Sequence, residues 1–162
     1  MGSVAAFEYF LKIDGIAGES TDSKHKDEID VQSWSWGETQ STPPGGGGGG
    51  AGKVEMQDLH VTAKMSKASP QLMLACASGK HIKSAVLTGR RGAKAPVEFL
   101  TFSLSDVLVS SYQTGGTEAE PPVDAVSLNF AKIQIEYKQI QQGGKLGGSS
   151  KAGWDVKQNK QF

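Results

Sequence analysis

The sequence predicts a mainly β protein with one α-helix, and three observations support this prediction. Apolar and polar residues alternate in about eight or nine short segments, which is the period of strands with one buried face. Turn-forming clusters of glycine and proline separate several of these segments. Only one segment carries the signals of a helix. This set of elements suits a sandwich or a small barrel, and the length of 162 residues suits a single domain over residues 1–162.

The composition argues against several classes of partner and compartment. Lys plus Arg and Asp plus Glu both total 17, so nothing indicates binding to nucleic acid or to an anionic membrane. No apolar run approaches the ~20 residues that span a bilayer, and we expect no membrane insertion. Residues 1–6 lack the basic and apolar regions of a secretory signal. Cys76 is the only cysteine, which excludes an intrachain disulfide.

The first two predicted strands cover residues 7–13 and 29–36. In the second, Ile29 and Val31 share one face, whereas Trp34 and Trp36 fall on the other. Either a bulge reverses the alternation within this strand, or both of its faces are covered.

Trp34 and Trp36 have two interpretations: a platform for a ligand, or packing in a core or subunit interface, which we favour. If both indoles point into the core, alternation places Ser33 and Ser35 on the opposite face. A small polar face of this kind could line a wet cavity or a channel.

Residues 40–52 form the least regular stretch of the chain, because two prolines precede six consecutive glycines. We predict a long flexible loop, since the strand pattern resumes at residues 54–61. Loops of this length are uncommon in compact domains unless they bind something. The glycines do not make a phosphate-binding loop, because Lys53 is followed by Val54 and no helix pattern comes next.

The one predicted helix covers residues 69–79. Ser69 is placed as its N-cap, Pro70 as its first helical residue, and Gly79 as its end. Its residues are apolar all round, which predicts a mostly buried helix, and Cys76 is expected as a small buried apolar residue within it.

Further strands are predicted at residues 84–91, 97–104, 107–114, 126–137 and 154–158. The alternation changes phase near Ala131, where we expect a bulge. Residues 143–153 are rich in glycine, serine and lysine and are predicted to be loose.

Few residues suggest chemistry. His25, His60 and His81 are far apart in sequence and have no metal-ligand spacing with one another or with Cys76, so we expect neither a metal site nor a cofactor. Ordinary surface or hydrogen-bonding roles are expected for all three histidines. A group of carboxylates is interleaved with lysines, which indicates a solvated loop; its members are Asp22, Asp27, Glu28 and Asp30.

Several short stretches, taken in their order and spacing, resemble one known family. They are residues 11–16 (LKIDGI), 18–20 (GES), 29–31 (IDV), 34–37 (WSWG), 67–70 (KASP) leading into 72–76 (LMLAC), 78–81 (SGKH) and 128–130 (LNF). Together they are similar to the haemolysin-coregulated protein (Hcp) family of bacterial type VI secretion systems. The resemblance runs from about residue 7 to the last predicted strand.

This resemblance implies a small β-barrel of two sheets with the helix packed at its side, and a function without enzymatic activity. Six copies would close into a ring, and stacked rings would form the inner tube of a contractile machine. A sheath would surround the tube, a VgrG-type spike would cap it, and effectors would ride in the channel. The protein would assemble in the bacterial cytoplasm and then be secreted without a classical signal peptide.

The resemblance also gives site expectations. Ser33 and Ser35 become candidates for the channel wall, and the loop near residues 40–53 becomes a candidate contact with an adjacent subunit or ring. The loop candidates are Gln40, Pro43, Pro44, Gly45, Gly50 and Lys53.

Two other functions compete with this one. A binding module would use Trp34, Trp36 or Trp154 to hold a small ligand. An enzyme, such as a hydrolase, would use His60 or His81 with acids that the sequence does not identify.

Overall fold

The computed structural model describes residues 7–41, 52–92 and 94–162. These residues form eleven strands and one helix. The elements are β1 (Phe7–Ile13), β2 (Ile29–Val31), β3 (Ser33–Ser35), β4 (Glu38–Gln40), β5 (Val54–Met56), β6 (Leu59–Lys64), α1 (Ala68–Ser78), β7 (Ile82–Arg91), β8 (Val97–Gly115), β9 (Val123–Ile140), β10 (Leu146–Asp155) and β11 (Lys160–Gln161).

The main sheet contains nine of these strands, all paired antiparallel. Its order is β11-β10-β9-β8-β7-β1-β2, and β6 pairs with both β9 and β3 to form a branch. The remaining two strands, β4 and β5, make a separate hairpin. The mainly β fold with one helix is therefore confirmed. Hydrogen bonding within the described ranges leaves β2 and β11 at the ends of the sheet, so the pairing does not close into a complete barrel.

The chain breaks its second predicted strand at Gln32, which separates β2 from β3. The first piece pairs with β1 and the second pairs with β6, so the chain turns a corner between two partners. This break reverses the alternation, and Ile29 and Trp34 can both pack into one core. Of the two alternatives left open by the sequence, the reversal within the strand is the correct one.

The two strands predicted over residues 97–104 and 107–114 are one continuous strand, β8. It bends at Asp106, whose φ is +52°. The neighbouring strand β9 changes its alternation opposite this bend. Even-numbered residues such as Leu128 and Phe130 are buried before it, and odd-numbered residues such as Ala131 and Ile133 are buried after it. The predicted phase change near Ala131 is confirmed. Because the change of phase turns the apolar side chains of both halves towards the core, each long strand buries an apolar row along its two halves.

The helix begins earlier than predicted and is less buried. Lys67 occupies the N-cap without a side-chain hydrogen bond, and Ser69 lies inside the helix. Ser69 donates instead to the buried Asp124, with 2.5 Å between the oxygens, and this bond ties α1 to β9. Gly79 ends the helix in the left-handed conformation, as predicted. The expectation of a mostly buried helix is wrong, because only four residues are buried: Ala68, Ser69, Leu72 and Ala75.

The glycine- and serine-rich stretch at 143–153 was wrongly predicted to be loose. Most of it belongs to β10, which pairs with β9 from Leu146 to Asp155 with one register shift. The single strand predicted over residues 154–158 is not observed. Instead, β10 ends at Asp155, the chain turns, and β11 pairs back with the end of β10. Backbone hydrogen bonding to a long neighbour thus outweighs the low strand propensity of glycine.

One apolar core lies between the sheet layers and α1. Its fully buried side chains come from five different strands, so no strand can shift without opening the core. They are Leu11, Leu59, Leu87, Leu104, Leu128 and Val107. The described part of the chain contains no helix of the length and apolarity needed to cross a membrane.

Candidate channel wall and contact surfaces

A polar surface covers the outer side of four neighbouring strands, β3, β6, β9 and β8. The strand register aligns its side chains in two rows across the sheet. We call these eight residues the polar wall. The first row is Ser33, Thr62, Ala125 and Gln113, and the second row is Ser35, His60, Ser127 and Ser111.

The predicted residues Ser33 and Ser35 lie at the free edge of this wall and are both exposed. Trp34, between them, packs against the core, with its ring 5.1 Å from that of Phe102 and nearly perpendicular to it. The prediction that the two serines face away from the core is confirmed. Their role in a channel stays a prediction.

Hydrogen bonds between side chains connect the strands of the polar wall. The hydroxyl oxygens of Ser33 and Thr62 lie 2.5 Å apart, and His60 Nδ1 lies 2.7 Å from the hydroxyl of Ser127. None of the eight wall residues is an acid, a lysine or an arginine. The wall is therefore a surface of hydroxyl, amide and imidazole groups, with one alanine methyl, and it contains no acidic, lysine or arginine side chain.

A carboxylate, that of Asp58, borders the wall at one end and accepts hydrogen bonds from two neighbouring side chains. Asp58 accepts from the hydroxyl of Ser110 at 2.5 Å and from the amide of Asn129 at 2.9 Å. Alternation in the sequence predicts only the two serines of β3 as members of this surface. The remaining wall residues could have been found from alternation alone only if the pairing of β3 with β6 and of β6 with β9 had been known.

A second surface is an apolar groove between the β4–β5 hairpin and the strands β9 and β10. We call it the hairpin groove. The indole of Trp36 donates to the carbonyl of Gln57 at 2.8 Å, whereas the buried Nε1 of Trp154 has no partner in the described residues. The apolar lining comes from Trp36, Val54, Met56, Ile133, Ile135 and Trp154, and Glu38 stands among the polar residues there.

The predicted loop candidates lie partly on this groove. Gln40 is the last residue of β4, where it pairs with Val54 and lines the groove. Lys53 precedes β5, and its carbonyl accepts a hydrogen bond from Ser41 at 2.9 Å. The strand β4 was not predicted. Four candidates lie outside the described residues and remain predictions: Pro43, Pro44, Gly45 and Gly50.

A third surface is a group of aromatic rings near the start of β1, which we call the aromatic patch. Phe7 is 44% exposed and Tyr137 is 47% exposed, although both are large and partly apolar. Each ring meets Phe99 edge-on, at centroid distances of 5.6 and 6.4 Å. The guanidinium of Arg91 lies 5.7 Å from the ring of Phe7. Exposed aromatic groups of this type are enriched in protein contacts.

The acidic segment near residue 22 is held against the main sheet by side-chain contacts and is not a freely solvated loop. His25 is buried and stacks on Phe10 at 4.4 Å, while its ring nitrogens contact Glu28 at 3.0 Å and Glu98 at 2.5 Å. On the same ring of Phe10, the buried Arg90 lies 4.8 Å from the centroid. The histidine thus holds the 18–28 segment against the sheet.

Arg90 changes the electrostatics of this segment. Hydrogen bonds from its guanidinium hold the pKa of Asp22 below the usual range, and the same bonds raise the pKa of Arg90. The interpretation of these acids as solvated was incomplete, because Arg90 is distant in sequence and nothing local identifies it as their partner.

The residues singled out for chemistry do not converge. His60 belongs to the polar wall, His25 to the segment just described, and His81 is exposed next to α1. Within the described ranges, no three metal-type ligands come together. Cys76 is half-buried and packs against the edge of the core.

Comparison with known proteins identifies close relatives. The family model described as "Type VI secretion system effector, Hcp" matches residues 10–137. The protein Hcp1 of Pseudomonas aeruginosa is 49% identical over 160 residues, covering 96% of this chain and 99% of the relative.

Solved structures show the same fold. The crystal structure of Hcp1 from Salmonella typhimurium is 38% identical with a TM-score of 0.82, covering 98% of this chain and 100% of that one. A second structure, described as a type six secretion system protein, is 32% identical with a TM-score of 0.87, covering 97% and 100%. These similarities therefore cover nearly the whole chain.

Proposed function

Because the chain belongs to the Hcp family of type VI secretion proteins, we propose that it is a non-enzymatic subunit of the secretion tube that closes into hexameric rings. The family consists of structural, secreted tube proteins and is not known for enzymatic activity. The rings would stack into the inner tube, within a contractile sheath and behind a VgrG-type spike. Assembly would occur in the bacterial cytoplasm, and the tube would then leave the cell.

The observation that carries this proposal is the polar wall. A sheet face that exposes an uncharged ladder of hydroxyl and amide groups suits a passage for another protein, because it offers hydrogen bonds without fixing the charge of the cargo. Its opposite face belongs to the core, so the wall is held rigidly. We propose that the wall lines the channel of the ring and receives effectors there.

A ring with rotational symmetry needs two different complementary surfaces on every subunit. The chain offers two that share no residue, the hairpin groove and the aromatic patch. The groove holds the indole N–H of Trp154, which has no partner among the residues that the structure describes, and the patch exposes Phe7 and Tyr137. We propose that these surfaces take part in the contacts between neighbouring subunits, together with the loop near residues 40–53.

The ring is tested by size-exclusion chromatography with light scattering, followed by electron microscopy of the peak. Six chains of 17.1 kDa give a particle of about 103 kDa (6 × 17.1) in a closed symmetric ring. We expect that mass and ring-shaped particles. A peak of one chain's mass that persists on concentration would refute the proposal, and the two tryptophans of the hairpin groove would then become the site to test for small ligands.

The channel is tested with a ring that holds a known effector. Ser35→Gln places a larger side chain on the wall without changing its charge, and we expect less effector to co-purify with the ring. Ser149→Gln is the matched control, since it makes the same change at an exposed strand residue of β10 that belongs neither to the polar wall nor to the proposed contact surfaces. Unchanged co-purification with Ser35→Gln, in a variant that still forms rings, would contradict the assignment of the wall.

A further inference from the structure

The polar wall contains one titratable side chain, that of His60, and this side chain stands inside the wall. The strand register places His60 on β6, between Ser35 of β3 and Ser127 of β9. The residue is exposed, and its imidazole is the only ring among the eight wall residues. A protein that lies against the wall therefore meets this ring together with the small side chains around it.

A hydrogen bond to Ser127 fixes how the imidazole is presented. Nδ1 of His60 lies 2.7 Å from the hydroxyl oxygen of Ser127, whose residue is only 9% exposed. Buried hydroxyl groups are nearly always hydrogen-bonded, and a hydroxyl that donates to Nδ1 satisfies both atoms. A neutral imidazole that accepts at Nδ1 carries its proton on Nε2. The outward nitrogen thus presents an N–H donor to the open side of the wall.

The donor at Nε2 persists when the ring gains a second proton. Histidine is the side chain whose charge ordinarily changes between about pH 5 and pH 8. In the protonated ring both nitrogens donate, and the hydroxyl of Ser127 can rotate to accept from Nδ1. Protonation of His60 therefore keeps both the position of the ring and the direction of its outward N–H, and it changes only the charge.

The charged groups that face His60 are few. The strands β3, β8 and β9 turn only hydroxyl, amide and methyl groups towards it in the two rows of the wall. On its own strand, alternation puts Asp58 on the same face two positions earlier and Lys64 four positions later. These two residues have opposite charges, and Asp58 already accepts from Ser110 and Asn129. A proton on His60 therefore changes this face from balanced to positive.

The proposed ring multiplies this change. Six copies related by rotation repeat His60 six times around one channel, so full protonation adds six positive charges to the polar wall. A passage lined by one sign of charge concentrates groups of the opposite sign. The chemistry that matches a ring of imidazolium N–H donors is a surface that presents carboxylate oxygens.

From these observations we propose that His60 is the residue of the channel that selects cargo by charge. Its Nε2–H donates to an oxygen of the cargo, and its protonation favours cargo whose surface is rich in aspartate and glutamate. This inference rests on the proposed tube function, because only the ring brings six copies of the imidazole to one channel. It adds to that function a chemical class of cargo and a dependence on pH.

The test uses assembled rings of the full chain and a rhodamine-labelled peptide of ten aspartates as the probe. Fluorescence anisotropy measures its affinity at about pH 8 and about pH 5.5, the range over which histidine gains its charge. Aspartate side chains stay ionised at both values, so a change in affinity reports on the ring. We expect binding to be about tenfold tighter at the lower pH, and a peptide of ten lysines should show no such gain.

Two variants separate the donor from the charge. His60→Gln keeps a side-chain N–H donor but cannot be protonated, so it should bind the aspartate peptide within about twofold of the unmodified ring at pH 8 and lose the gain at pH 5.5. His60→Leu also removes the donor and should weaken binding at pH 8 by about threefold or more. His81→Gln is the matched control, because His81 is an exposed histidine outside the wall, and it should keep the full gain.

Light scattering at both pH values distinguishes the failure of this inference from the failure of the tube function. An equal gain in the unmodified and His60→Gln rings, or a gain lost equally in His81→Gln, would overturn the inference and leave the ring intact. Loss of rings in both His60 variants, or opening of the unmodified ring at pH 5.5, would also overturn it, because the residue would then govern contacts between copies. An unmodified chain that forms no ring at pH 8 would remove the proposed function itself.

Discussion

Replacing Arg90 with methionine tests whether a distant cation holds the acidic segment in place. Arg90 is only 6% exposed and donates to Asp22 at 2.5 and 2.9 Å and to Glu8 at 3.3 and 3.4 Å. Methionine keeps an apolar stem against Phe10 but removes the charge and every donor. The variant would leave two carboxylates facing each other with no guanidinium between them.

The size of the effect follows from the exposure of the partners. Breaking a fully buried ion pair costs about 3–5 kcal/mol. The side chains of Asp22 and Glu8 are 22% and 34% exposed, so water recovers part of this loss. We expect Arg90→Met to lower the free energy of unfolding by about 2 kcal/mol. For a domain of this length, that is a fall in Tm of about 4–8 °C.

The loss should depend on pH with a known sign. The pKa of Asp22 is lowered in the folded chain, mainly by the hydrogen bonds from Arg90. Its contribution to stability is therefore present above the ordinary pKa of an aspartate and is lost as the pH falls through the lowered folded pKa. The Tm difference between the unmodified chain and Arg90→Met should be full at pH 7 and should shrink below about pH 4.

Thermal unfolding followed by circular dichroism, at one protein concentration and at several pH values, measures both quantities. Lys83→Met is the matched control, because Lys83 is an exposed cation of the same strand, β7, and forms no ion pair within the described residues. Its Tm should change by no more than about 2 °C. Equal shifts for the two variants, or a gap for Arg90→Met that stays constant down to pH 3, would refute the reasoning.

Two further predictions concern the core and Asp30. Leu87→Ala, at a fully buried position, should cost about 3 kcal/mol in thermal or denaturant unfolding, whereas Leu74→Ala on α1 should cost less than about 0.5 kcal/mol; equal losses would contradict the assigned core. The pKa of Asp30 is raised, mainly because its carboxyl is partly desolvated although most of the residue is exposed. The negative charges of Asp22 and Glu8 raise this pKa further. Because a raised pKa disfavours the charged form in the fold, Asp30→Asn should raise the Tm at pH 7, and this gain should disappear as the pH falls through the raised pKa; a lower Tm at pH 7 would count against it.

The sequence could predict the elements whose signals are local. The strand over residues 7–13, the glycine that ends α1 and the phase change near Ala131 depend on residues adjacent in the chain, and all three are confirmed. The exposure of Ser33 and Ser35 followed from the same logic, because it needed only the inward orientation of Trp34 and Trp36.

The failures share a different cause, which is pairing over a long distance in sequence. Residues 146–155 are poor in strand formers, but β9 supplies a continuous ladder for them. Ser69 looked like an N-cap because of its residue type, and its hydroxyl instead donates to Asp124, which is 55 positions away. Arg90 and Asp22 are 68 positions apart, so no local pattern could join them. The exposure of Met73 and Leu74 on α1 was not predicted, because a helix that is apolar all round was expected to be mostly buried.

The absence of charge on the polar wall has a consequence in the proposed hexamer. Any charged wall residue would be repeated six times around one channel, and like charges facing each other across a channel raise the electrostatic energy of the closed ring. Serine, threonine and glutamine avoid this repetition while still offering donors and acceptors to a cargo. The one titratable wall residue, His60, sits beside the hydroxyl of Ser127 and next to Ser35 in the register. A neutral wall would thus favour both closure of the ring and tolerance of cargo with differing charges.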